Sequence, residues 1–181
     1  MKVSEGEMTF LDHLEELRWH IIRSAVAVLV VAVIAFVFKD YIFALLFAPK
    51  NGDFFTYQMF CKVGHWFNFE SDFCVEQLPF TIQSRTMAGQ FSAHIWTSIW
   101  TGVIVAFPYV LYEVWRFISP GLYDNERKLA RGFILVASIL FFIGVLFGYY
   151  LITPLSVNFL GSYSVSPEVK NQIDIDSYIS V

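Results

Sequence analysis

The chain has 181 residues, of which 56% are apolar and 15% charged, with a formal net charge of −4. Soluble domains carry about 25% charged residues, so this composition excludes one able to cover its own surface with polar groups, and a mean hydropathy of +0.56 agrees. The slightly acidic balance offers none of the clustered basic charge that nucleic-acid binding needs.

In chain order, the first segment is polar. Met1 to Arg18 carries Glu5, Glu7, Asp12, Glu15 and Glu16, whereas a cleavable signal peptide needs a basic start and a short apolar core. The first span is therefore expected to serve as its own insertion signal. Thr9 can cap a helix, on which Phe10, Leu14, Leu17 and Ile21 fall on one side and Asp12, Glu16, His20 and Arg23 on the other. Residues 1–20 thus read as an amphipathic helix on the cytoplasmic surface, its charges on a solvated face.

A bilayer core of roughly 30 Å needs about 20 apolar residues in a helix. Three stretches qualify: 21–38, interrupted only by Arg23 and Ser24; 91–115, with His94; and 132–152, which has no charge. Backbone groups in lipid must pair internally, so each span is a helix. The expected class is all-α, a polytopic transmembrane helix bundle. Arg18, Arg23 and the run Arg116, Arg127, Lys128 and Arg131 place the N-terminus and the 116–131 loop in the cytoplasm. Residues 39–90 and 153–181 then lie outside.

The outer segment 39–90 holds Tyr41–Phe47, an apolar run too short to span, followed by Pro49, Asn51 and Gly52. Its aromatic content favours a cap lying against the membrane. Cys61 and Cys74 both fall there, where an oxidising compartment would permit a disulfide; the sequence leaves open whether they bond. Zinc is disfavoured, since His65 lies between them without a fourth ligand at a sensible spacing. Thr153-Pro154 reads as the stop of the third span. The last residues look like the start of a fourth apolar helix, with Asp176 or Ser177 as its N-cap.

Pro120-Gly121 marks a turn, and Asp124 can cap the helix that follows. Glu126 in its first turn would offset the helix dipole, or it could receive a cation. Glu16 and Glu126 are assigned to one membrane face, and two carboxylates there could hold paired guanidinium groups. Phe117 would add an apolar surface beside them. Pro108 should bend the second span. Glu113 admits two readings of equal weight: a functional acid at membrane depth, or an ion pair with Arg116 three residues on. His94 reads as an interhelical hydrogen-bonding group. Gly144 and Gly148 have the spacing of close helix packing, within or between subunits. HExxH, GxSxG and P-loop signatures are absent, so no enzyme, cofactor or metal is expected.

Three patches carry a resemblance. Phe10-Leu11-Asp12-His13-Leu14-Glu15-Glu16-Leu17-Arg18 resembles the opening signature of TatC, the receptor subunit of the twin-arginine protein translocase. Residues 106–123, from Ala106-Phe107-Pro108 to Pro120-Gly121-Leu122-Tyr123, with Glu126-Arg127-Lys128, resemble its second span and first cytoplasmic loop. Gly148-Tyr149-Tyr150 with Pro154 resembles the end of its third span.

The resemblance implies a six-span bundle in the bacterial inner membrane with the N-terminus cytoplasmic. It also implies binding of twin-arginine signal peptides of folded cargo and export driven by the proton-motive force. The implied partners are TatA-type and TatB-type subunits, within a complex holding more than one copy. Carried over by motif, Glu16, Phe117 and Glu126 belong to the signal-peptide site, and Pro49, Pro108 and Pro154 match family prolines. The chain holds three of the six spans, and the expectation is that it is truncated before the fourth. The competing reading is a fragment of a proton-coupled channel or secondary transporter, with Glu113 and His94 lining its path. The two differ in where the critical acids lie: at the cytoplasmic surface for a receptor, at membrane depth for a transporter.

Overall fold

Phe10–Val37 contains neither proline nor glycine and forms one uninterrupted helix, α1. Its 28 residues reach about 42 Å at 1.5 Å per residue, so the polar opening and the first span share one rod with no break at residue 20. After Phe38 come α2 (Lys39–Phe47), a 3₁₀ turn (Ala48–Lys50), α3 (Phe55–Trp66), β1 (Thr81–Gln83) and α4 (Gly89–Ile118). Then follow α5 (Asp124–Phe147), a π-helical turn (Gly148–Ile152), α6 (Thr153–Ser162), β2 (Gln172–Asp174) and α7 (Ile175–Ile179). The computed structural model describes residues 10–66, 80–119, 124–163, 166 and 171–180, and their side chains except at 10–13, 63, 65 and 124–131. The expected Thr9 cap and the Pro120-Gly121 turn lie outside the described residues, as does the capping side chain of Asp124.

Among the described residues, three helical stretches are long and apolar enough to cross a membrane: Leu14–Val37, Gly89–Ile118 and Gly132–Ser162. The third runs on through Thr153-Pro154, where the sequence suggested a stop. The reason is local. The helix widens to a π turn, in which the Thr153 N–H bonds back to the Gly148 carbonyl, and Pro154 enters in the first turn of α6, where its missing N–H matters least. Pro108 likewise lies inside α4 without ending it.

The chain divides into two compact units, residues 1–35 with 99–140, and residues 36–98 with 141–181. In the first, α1 and α4 meet through small residues. Ala32 and Ala106 are buried. A Cβ on Gly102 would lie 2.8 Å from the Val28 carbonyl oxygen and 2.9 Å from the Ala32 Cβ, so only glycine permits this approach. Large apolar side chains such as Val26, Leu29, Val30 and Val33 are exposed instead, as lipid-facing side chains of a span are.

The second unit has a small core of Phe80, Val157 and Tyr178, flanked by Phe47, Ile82, Ile173 and Ile179. Here the all-α architecture gains a short two-stranded ribbon. β1 and β2 pair in parallel, Thr81 with Gln172, Ile82 with Ile173 and Gln83 with Asp174. Extended backbone at Asp174 leads straight into α7, so the N-cap is Asp174, two residues earlier than Asp176. Gly161 packs under the Phe80 ring, where a Cβ would come within 2.5 Å of a ring carbon. The Asn171 side-chain amide donates to the carbonyls of Gly161 and Tyr163, both at 2.9 Å.

Candidate functional site

In the polar stripe of α1, His20 is only 7% exposed, whereas Ile21 beside it is 57% exposed; Glu16 is half-exposed and Arg23 exposed. At His20 the expected solvated face meets the bundle instead, as ionisable groups in a span do. What His20 meets is Glu113 of α4, 2% exposed. The His20 Nδ1 donates to Glu113 Oε2 at 2.5 Å, and the Tyr109 hydroxyl donates to Oε1 at 2.9 Å. Both carboxylate oxygens are thus satisfied. The partner of Glu113 is His20, and Arg116, the alternative offered by sequence, is exposed. Breaking one side of such a buried pair costs about 3–5 kcal/mol, because the remaining charge is left uncompensated.

Phe117 lies four residues after Glu113, one turn nearer the end of α4. Its ring meets His20 edge-on, with centroids 6.0 Å apart. Glu16 lies four residues before His20, one turn nearer the start of α1, and is half-exposed. The contacts of His20 with Glu113 and of Ala32 with Gly102 set α1 and α4 antiparallel, so Glu16 and Phe117 fall toward the same end. Glu126 occupies the first turn of α5, but its side chain lies outside the described residues.

In the second unit the prolines have a distinct role. Pro49 has no N–H to give the Leu45 carbonyl four residues before it, which accepts from the Ala48 N–H instead, and Pro154 has none for Tyr150. Hydroxyls from other elements reach both carbonyls. Tyr149 donates to Leu45 at 2.7 Å, and Thr56 donates to Tyr150 at 2.5 Å. The Tyr57 hydroxyl lies 3.1 Å from the Pro49 carbonyl and 2.9 Å from that of Pro154, its one proton shared between two fully buried prolines. Tyr178 donates to Leu46 at 3.2 Å. Burial pushes the Tyr57 and Tyr178 hydroxyls up to about 12. Sequence reasoning picked both prolines and Tyr149 through its motif but missed Tyr57 and Tyr178 and all of these contacts, most of which join residues about a hundred or more positions apart.

His94 is an interhelical group as expected: its Nε2–H donates to the Phe36 carbonyl at 3.1 Å while its ring stacks on Phe36 at 3.9 Å. Gly144 and Gly148 have no atom within 4 Å of an added Cβ, so no described part of this chain packs on that pair. Cys61 lies on α3 and is disulfide-bonded; Cys74 and the His65 side chain lie outside the described residues. Among the described residues, no three His, Cys, Asp or Glu side chains gather to hold a metal ion.

Comparisons with known proteins identify the family and the fold. Residues 12–181 match the family described as Sec-independent protein translocase protein (TatC). A TatC of Blattabacterium from Periplaneta americana is 40% identical over 183 aligned residues, covering 100% of this chain and 69% of that protein. The Escherichia coli K12 TatC is 30% identical, over 97% of this chain and 59% of its own length. A crystal structure of the twin-arginine translocase receptor TatC superposes with a TM-score of 0.68 at 30% identity, covering 93% of this chain and 64% of that one. The chain thus spans between 59% and 69% of the length of these relatives. The match favours a component of a protein translocase over a channel or transporter fragment, and the family is not one of enzymes. The family match over residues 12–181, together with three helices long and apolar enough to cross a membrane, makes this chain a member of the TatC family of Sec-independent protein translocase proteins.

Proposed function

We propose that the protein binds the twin-arginine signal peptides of folded proteins and serves as the receptor of a proton-motive-force-driven export complex. The observation that carries this reading is the placement of Glu16 and Phe117 at one end of the antiparallel α1–α4 pair, one turn beyond the His20–Glu113 contact. A carboxylate beside an aromatic ring suits a guanidinium, which pairs with the first and stacks on the second. Glu126, at the start of α5, supplies the second carboxylate that an arginine pair requires.

In this reading the N-terminus and the 116–131 loop lie in the cytoplasm, the membrane is the bacterial inner membrane, and residues 39–90 form an outer cap. Cys61 pairs with Cys74, the other cysteine of the chain. TatA-type and TatB-type subunits and further copies of the chain complete the complex. The test is site-specific photo-crosslinking to a twin-arginine precursor in membranes. Glu126→Ala is expected to abolish the crosslink and Glu16→Ala to weaken it. Undiminished crosslinking in Glu126→Ala would sink the assigned site.

A further inference from the structure

The His20–Glu113 pair is absorbed by none of the roles above. It does not lie at the surface where a peptide would dock, and a membrane helix gains little by burying two ionisable groups where apolar ones would pack. Its position on the two helices is informative. Glu16 and His20 are four apart on α1, and Glu113 and Phe117 are four apart on α4. One turn is about 5.4 Å. The pair therefore joins the two helices one turn beneath the two residues proposed to face the signal peptide.

We infer that His20 and Glu113 are positioning residues for signal-peptide recognition, an inference that rests on the receptor reading above. The contact is directional at both atoms. Oε2 of Glu113 is taken by His20 and Oε1 by Tyr109, which fixes the carboxylate plane on α4. The imidazole so held presents its edge contact to Phe117, which sets where that ring lies. Because His20 is four residues from Glu16, the same bond fixes the rotation of α1 about its axis and with it the direction of the Glu16 carboxylate. Apolar packing through Ala32, Gly102 and Ala106 holds the helices close but tolerates small rotations. A short charge-assisted bond does not.

The experiment compares variants that fold alike but differ in the link, in membranes carrying the rest of the complex. His20→Arg keeps an N–H donor able to bond Glu113. The double variant His20→Leu with Glu113→Met replaces the pair by apolar groups of similar size, which buried ion pairs generally tolerate. Membrane abundance and melting temperature in detergent report folding, and crosslinking to twin-arginine and twin-lysine precursors reports the site. His20→Arg is expected to retain crosslinking within about twofold, and the double variant to lose about tenfold while melting close to the parent, the equivalent of one charged hydrogen bond. The preference for arginine over lysine should narrow in the double variant, since a misdirected carboxylate loses the bidentate geometry first.

Full crosslinking with full arginine preference in the double variant overturns the inference. So does a loss in His20→Arg as large as in the double variant, because the bond would then not be what matters. Glu16→Ala and Glu126→Ala run alongside. If both crosslink normally, the receptor reading itself has failed; if they lose crosslinking while the double variant does not, only the positioning role has.

Discussion

In residues 1–35 and 99–140, the described contacts of α1 with α4 run through alanines, a glycine and the ionisable His20–Glu113 pair. In residues 36–98 and 141–181 the described ties are mostly neutral: hydroxyls of Thr56, Tyr57, Tyr149 and Tyr178 reach main-chain carbonyls, a small aromatic core fills the space, and the Arg85 guanidinium reaches the Gln172 carbonyl at the exposed edge. The two chemistries fail differently. A buried ion pair is directional and expensive to break from one side. A hydroxyl–carbonyl bond contributes about 0.5–1.5 kcal/mol, and several of them spread the load. The first arrangement suits a place where the angle between two helices must be set, the second a place that must only stay together.

The largest expected effect breaks the first unit. Glu113→Ala leaves His20 without its partner and should cost about 3–5 kcal/mol, seen as a collapse of membrane abundance and melting temperature. Next is an alkaline transition confined to the second unit. The Tyr57 and Tyr178 hydroxyls are held neutral to about 12 in the folded state, above the ordinary tyrosine value near 10. Their contribution is fully present below pH 10 and is lost as the pH rises from about 10 through about 12, on the order of 2 kcal/mol for each group. Melting temperature against pH should fall across that window, and Tyr57→Phe should flatten the fall.

Gly102→Ala should cost about 2 kcal/mol by overpacking against Val28 and Ala32, read as a lowered melting temperature. Tyr57→Phe at neutral pH comes last, at about 1 kcal/mol for the shared bond to the two proline carbonyls. Should Tyr57→Phe prove more damaging than Glu113→Ala, the contrast between the units is wrong.

Much of this was legible in the sequence, for identifiable reasons. The three spans follow from composition alone, since lipid imposes length and apolarity residue by residue. Glu16, Phe117 and Glu126 stand out through their local motifs, as do Pro49 and Pro154. The partner of Glu113 did not, because a helical pattern shows which residues share a face and not which face meets another helix. The convention borrowed from soluble proteins, polar side outward, sent His20 to the wrong environment. The strands β1 and β2 were invisible because three residues carry no periodicity, and their pairing joins segments some ninety positions apart. The run-on of the third span past Pro154 escaped notice because a π turn leaves no composition signature.

The proline carbonyls carry a consequence for biosynthesis. The Tyr57 hydroxyl meets the Pro49 carbonyl 8 residues before it and the Pro154 carbonyl 97 residues after it. At about 5–20 residues per second of translation, roughly 5–20 s separate the two. Until Pro154 emerges, only the local Pro49 carbonyl is there for this hydroxyl to meet. The tie between α3 and α6 that Tyr57 makes therefore forms only once the third span has been delivered.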